Sequence, residues 1–232
     1  MNKETLMSRK ALVVSLTLLV SAFACQAGAW TLPGIDGHAP SVWVGERNWT
    51  QESGNPMPDQ GASWGLYYQT DENGDFKPMI FGLAYNYTFA WRSSEGTALS
   101  EGHGEDPACH YIGTTLACPN GKTFPGDGPN ARVTFKPTVA GKFKLEIAGT
   151  ATVQSPTAGN ARLRVLVLDA PLKTVREVKA IELKSKDNAS ISETIELKAG
   201  ECMGVTLQSV NPGPSGCGKC SIAFKTFKVT AE

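Results

Sequence analysis

Apolar and polar residues alternate with a period of two through most of the second half of the chain. From Gly141 to Gly149, Phe143, Leu145 and Ile147 alternate with Lys142, Lys144 and Glu146, the pattern of a strand with one face buried and one in water. Just ahead, Val133 and Phe135 alternate with Thr134 and Lys136, and Pro137 to Gly141 supplies the break at which the chain changes direction. The stretch Ala131 to Thr150 therefore predicts strand, turn, strand. Beyond it, Ala161 to Asp169 puts Leu163, Val165 and Val167 on one face and Arg162, Arg164, Leu166 and Leu168 on the other. Apolar on both sides at its centre, it predicts an inner strand. Val175 to Leu183, Ile191 to Leu197, Met203 to Val210 and Ser221 to Thr230 follow as strands. They are separated by the turn-like Lys186-Asp187-Asn188, the turn Lys198-Ala199-Gly200-Glu201 and an Asn211 to Gly216 loop. Many short strands at this spacing, with no convincing helix, predict an all-β fold, an antiparallel β-sandwich of jelly-roll type.

The first half holds the large aromatics. All five tryptophans fall between Trp30 and Trp91, and no Trp or Tyr follows Tyr111. Ser63 to Thr70 reads as a strand, Asp71 to Asp75 as a turn centred on Asn73-Gly74, Phe76 to Phe81 as its hairpin partner, and Ala84 to Arg92 as a third strand. In that third strand Tyr85, Tyr87, Phe89 and Trp91 share one face. Such a row suits stacking on sugar rings, because aromatic faces cover the apolar C–H patches of a pyranose while flanking polar groups take its hydroxyls. It equally suits half of a sandwich core. Trp49, Trp64, Tyr68, Tyr85, Tyr87 and Trp91 are the ligand-binding residues expected on the first reading. Ser93 to Asn130, rich in Gly, Pro and charge, is the least regular part.

At the start, Lys3, Arg9 and Lys10 precede an apolar run from Ala11 to Ala24. This run is too short and wrongly flanked for a membrane span, and it reads as a secretory signal peptide. Small residues offer cleavage after Ala24 or after Ala29, and the second is preferred. A lipid anchor at Cys25 would want Leu three residues earlier, where Ala22 stands. The expected organisation is a signal peptide over 1–29 and a single β-sandwich domain over 30–232, secreted, periplasmic or on the cell surface. Losing 1–29 removes three basic residues and one acidic, so the mature chain carries about −2. A chain without a basic excess is no nucleic-acid partner, and no second apolar segment predicts a membrane span.

Five cysteines remain after the signal: Cys109, Cys118, Cys202, Cys217 and Cys220. Cys109 and Cys118 bracket a short loop and make a local disulfide; Cys202 pairs with Cys217 or Cys220 if their strands are neighbours, which leaves one thiol over. Cys217-Gly218-Lys219-Cys220 has the spacing of a redox pair or half a metal site, but it opens a strand where a redox motif opens a helix. Asp71, Asn73 and Asp75 have the start of a calcium-loop spacing without its remainder, and Gly82 stands at the twelfth place where Glu is needed. His103, Glu105, Asp106 and His110 could assemble a metal site only if their loop folded inward. No Ser, His and Asp arrangement has a recognisable elbow around it. No metal, no cofactor and no catalytic residue is expected.

Asn55 to Met79, Phe124 to Val153 and Ile195 to Ser209 carry a longer pattern. It consists of Asn-Pro before a Trp-containing strand, a Pro-Gly loop, a strand ending in Pro, an Ala-Gly turn, and a late Leu-x-x-Gly followed here by Glu201 and Cys202. This resembles a jelly-roll module of large secreted bacterial proteins, similar in architecture to galactose-binding-like and carbohydrate-binding modules. The second half also has the rhythm of C1q and tumour-necrosis-factor-like jelly rolls. The resemblance implies a non-catalytic protein whose partner is a polysaccharide or cell-surface glycan. A structural or assembly subunit of the cell envelope and a metal-dependent hydrolase are the alternatives.

Overall fold

The computed structural model describes residues 29–32, 62–69, 75–83, 89–92, 110–112, 115–119, 130–154, 160–169, 173–210 and 219–232. Among them there is no helix. The strands are β1 (Ala29–Thr31), β2 (Ala62–Gln69), β3 (Lys77–Pro78), β4 (Ile80–Leu83), β5 (Phe89–Arg92), β6 (His110–Ile112), β7 (Thr115–Pro119) and β8 (Asn130–Pro137), then β9 (Gly141–Gln154), β10 (Asn160–Leu168), β11 (Thr174–Leu183), β12 (Asn188–Leu197), β13 (Cys202–Val210) and β14 (Lys219–Ala231). They form two antiparallel sheets. One runs β12-β9-β14-β7-β6-β5-β4, with β1 added beside β14; the other runs β11-β10-β13-β8-β2-β3. The fold is an all-β sandwich, as the alternation predicts, and β10 is an inner strand flanked by β11 and β13.

Two local readings change. The strands on either side of Pro137–Gly141 do not pair with each other: β8 lies in the six-stranded sheet and β9 in the eight-stranded one. The break is an arch between layers, not a hairpin. Phe76 to Phe81 is likewise divided. Lys77 and Pro78 pair with Tyr68 and Tyr67 of β2, whereas Ile80 to Leu83 pair with β5 in the opposite sheet. Met79, 2% exposed, sits at the crossover and ties its amide to the Leu66 carbonyl at 2.9 Å. Within the stretch expected to be irregular, β6 and β7 are strands.

The core fills the space between the sheets, and its aromatic part gathers at the end where β8 turns into β9. Trp64 meets Phe135 and Phe227 with ring centres 5.1 and 5.5 Å apart, and Trp30 meets Phe135 and Phe143 at 5.2 and 6.2 Å. Most of these contacts are tilted or edge-on, the arrangement that ring quadrupoles favour. Trp30 and Leu32 enter this core from β1 and just beyond it, whose register sets Trp30 opposite Val229. Two turns of the same design hold the ends of β12. The Lys184 amide donates to Asp187 Oδ2 at 2.8 Å and the Lys198 amide to Glu201 Oε2 at 2.8 Å. The left-handed residue is Lys186 in the first turn and Gly200 in the second.

Candidate binding face

Alternation along β2 sends Trp64, Leu66 and Tyr68 into the core and Gly65, Tyr67 and Gln69 to the outer face of the six-stranded sheet. The same parity in β8 and β13 turns Ala131, Val133, Phe135, Met203, Val205 and Leu207 inward. That leaves Asn130, Arg132, Thr134, Gly204, Thr206 and Gln208 outside. Strand register aligns these residues in rows that run straight across the sheet. One row is Gln69, Asn130, Gln208, Arg162 and Glu182; the next is Tyr67, Arg132, Thr206 and Arg164; a third is Gly65, Thr134, Gly204 and Leu166.

Side-chain hydrogen bonds tie several neighbours within and between these rows. Asn130 Nδ2 donates to Gln69 Oε1 at 2.7 Å and Arg132 Nε to Thr206 Oγ1 at 2.9 Å. At the outer edge Arg162 pairs with Glu182 at 2.7 Å and Arg164 with Glu177 at 2.6 Å. The Arg162 hydrogen bond and charge hold Glu182 below the usual carboxylate range. The Arg132 guanidinium lies over the Phe76 ring, 3.5 Å from its centre. Burial lowers Arg132 to about 10, and Arg164 adds to the fall; it remains a cation at neutral pH. Tyr67 is pushed up by burial and by the neighbouring Cys202.

Gln69, Asn130, Arg132, Thr134, Thr206 and Gln208 are all buried, an unusual density of polar groups for a sheet face. Gln208 is 5% exposed, and its Oε1 accepts no hydrogen bond. Polar atoms in that state are rare, because leaving one unmade costs about 1 to 3 kcal/mol. Glycine at 65 and 204 lets large neighbours lie flat on the sheet: a β-carbon at Gly65 would fall 2.5 Å from the Tyr67 ring, and one at Gly204 2.7 Å from Leu168 Cδ1. The face thus offers planar amides, hydroxyls and a guanidinium beside the Tyr67 and Phe76 rings. Its two carboxylates are already engaged by arginines. Gln69, Asn130, Arg132, Thr134, Thr206 and Gln208 are closed off from solvent, so it is the half-buried Tyr67 and Phe76 rings that this face presents to a ligand.

The expected binding rings separate into three groups. Trp64 and Tyr68, 4% and 0% exposed, are core residues with no face left for a ligand, which corrects the expectation for both. Trp91 stands on β5 of the other sheet, opposite Phe81 and Tyr111 in register. Trp49, Tyr85 and Tyr87 lie outside the described residues. Tyr67, Arg132, Thr206 and Gln208 were missed, although parity with Trp64 and Leu66 marks Tyr67 and Gln69 as the outward pair of β2.

Among the cysteines, Cys202 is a buried free thiol packed with Leu166 and Leu168 on the outer face, and burial raises it to about 11. Its expected bridge to Cys220 is excluded by topology. Cys202 adjoins Met203, which pairs with Phe135 at the aromatic end; Cys220 pairs with Val153, ten residues along β9 from Phe143 at that end. At about 3.3 Å per residue the two lie tens of ångströms apart, against an upper Cα separation of about 7 Å for a disulfide. Cys109 and Cys217 lie outside the described residues, as do His103, Glu105, Asp106 and the Asp71-to-Gly74 part of the calcium-like turn. No cluster of three metal-ligating side chains occurs among the described residues, and no described helix is long and apolar enough to cross a membrane.

No protein family and no curated protein matches the chain by sequence. Solved structures similar in fold include a carbohydrate-binding module of the CBM4 type, at 10% identity and TM-score 0.36, covering 53% of this chain and 75% of that one. Another is the N-terminal cellulose-binding domain of Cellulomonas fimi β-1,4-glucanase C, at 15% identity and TM-score 0.33, covering 72% and 89%. Murine APRIL is a third, at 7% identity and TM-score 0.24, covering 69% and 99%. The likeness is one of sandwich architecture, and architecture does not carry a ligand with it.

Proposed function

We propose that this chain is a secreted, non-catalytic β-sandwich protein that binds carbohydrate on the outer face of its six-stranded sheet. The observation that supports the reading is the pair of half-buried rings, Tyr67 and Phe76, on that face beside Arg132. These rings suit the C–H faces of a pyranose, and the half-buried Arg162 and Arg164 at the end of the rows have N–H groups to donate to its hydroxyls. Among the described residues of that face, Glu177 and Glu182 are both engaged in ion pairs, which supports a binding role. The signal-like start of the chain supports secretion.

A glycan array followed by calorimetry on residues 30–232 tests this, beside the variants Tyr67→Ala and Trp91→Ala. Expected is retention on at least one polysaccharide, weakened about tenfold by Tyr67→Ala, the equivalent of one stacked ring. Retention on no glycan overturns the reading. Loss in Trp91→Ala with Tyr67→Ala unchanged would move the site to the aromatic row of β5.

A further inference from the structure

Cys220 of β14 lies directly opposite Cys118 of β7 in an antiparallel ladder. Two residues along, the pair of the same parity is Ile222 opposite Leu116, and both belong to the core. Cys220 is itself fully buried in that core. Directly opposed residues of antiparallel strands have Cα atoms about 4.5 or 5.5 Å apart, according to the hydrogen-bonding of the pair. Both spacings fall inside the range of about 4.4 to 6.8 Å that a disulfide spans. Cys202, a buried thiol, is at the opposite end of the sandwich and does not compete.

We propose that Cys118 and Cys220 form a cross-strand disulfide that fastens β7 to β14. The two thiols give up two protons and two electrons to an external disulfide, of a small thiol or of an oxidoreductase, which leaves as two thiols. The bond sits at a seam. β4, β5 and β6 reach the rest of their sheet only through β7, and β7 joins it through five residue pairs with β14. A covalent link there holds a ribbon of strands of three to five residues each, too short to persist alone. It also replaces the local Cys109–Cys118 bridge expected from spacing alone.

The purified chain is refolded in a reduced/oxidised glutathione buffer, alkylated in denaturant, and digested without reduction by trypsin and chymotrypsin. This makes the result independent of where the protein resides and of what it binds. Cleavage after Tyr111 separates Cys109 from Cys118, and cleavage after Lys219 isolates Cys220. Expected is a mass joining the Cys118 and Cys220 fragments that disappears on reduction, with Cys202 alkylated. Dithiothreitol should lower the melting midpoint by roughly 10 °C, the effect of opening a loop of about a hundred residues, and should leave a Cys118→Ser variant where it was. A Cys109–Cys118 fragment, a Cys217–Cys220 fragment, or alkylation of both Cys118 and Cys220 overturns the proposal.

Discussion

The guanidinium carbon of Arg132 stands 3.5 Å over the centre of the Phe76 ring while its Nε donates to Thr206 at 2.9 Å. Arg132 is 4% exposed, so its long stem packs as a hydrophobe between β2 and β13. Arg132→Ala should cost about 2 to 4 kcal/mol, the range for deleting a buried side chain of this size. Arg132→Met should recover most of it, since exchanging a buried cation for an apolar group of similar volume is often near neutral. Phe76→Ala should cost about 1 to 2 kcal/mol through the lost ring contact. Urea unfolding of the three variants reads the order. A Met variant as weak as the Ala variant would mean that the charge, not the packing, is what the fold needs.

Trp64 separates scaffold from site. Its ring sits edge-on to Phe135 and Phe227 and joins the two sheets, so Trp64→Ala should lower stability by about 3 to 5 kcal/mol. Among chains that still fold at low temperature, its affinity for a glycan should match the parent, whereas Tyr67→Ala should show the reverse pattern. Measuring both quantities on both variants distinguishes a core ring from a binding residue.

β9, β12 and β14 were legible because one face of each is wet: Lys142, Lys144 and Glu146 mark the outside of β9 as plainly as Phe143, Leu145 and Ile147 mark its inside. What alternation does not carry is which sheet a strand joins. An arch and a hairpin have the same local chemistry, so Pro137 to Gly141 announces a reversal without saying whether β9 returns beside β8 or above it. β6 and β7, at three and five residues, are too short to show a period amid Gly and Pro. The site was obscured for another reason. Aromatic composition drew notice to Trp64 and Tyr68, but parity within Trp64-Gly65-Leu66-Tyr67-Tyr68-Gln69 assigns the inward face to Trp64, Leu66 and Tyr68, so that only Tyr67 can serve outside. The polar rows form only across strands, through register, and register is not written in any one strand.

Two glycines are required for different reasons, and substitution tells them apart. Gly149 lies opposite the irregularity between Phe224 and Thr226, and a β-carbon there would fall 2.7 Å from the Ala223 carbonyl oxygen. A backbone oxygen cannot swing away as a side chain can, so Gly149→Ala should cost about 1 to 3 kcal/mol and Gly149→Val more. Gly200 has open space around it but a φ of +87°. Its replacement by Ala should cost about 1 kcal/mol of backbone strain, and replacement by Asn less. Thermal unfolding should therefore rank Gly149→Val below Gly149→Ala, and Gly200→Asn above Gly200→Ala. An Asn variant no better than Ala at 200 would argue against the left-handed turn.

Cys202 should make the protein less stable in alkali. Burial raises its thiol from 9.0 to about 11, so the folded state holds the proton more tightly than the unfolded chain. The contribution is complete below pH 9, where both states are protonated. It falls away as pH rises from 9 to 11, because the unfolded chain ionises freely while the folded one must keep a neutral thiol or bury a thiolate. The loss is on the order of 2 to 3 kcal/mol across that window. Cys202→Ala removes the titrating group and keeps a small apolar side chain beside Leu166 and Leu168. Urea midpoints at pH 7.5, 9, 10 and 11 should converge between variant and parent as pH rises, since lysines and tyrosines away from Cys202 cancel in the difference. Parallel curves would show that the thiol does not ionise on unfolding. The same burial predicts slow alkylation of Cys202 by iodoacetamide at pH 8 in the native protein, rising to the rate of an exposed thiol only in denaturant.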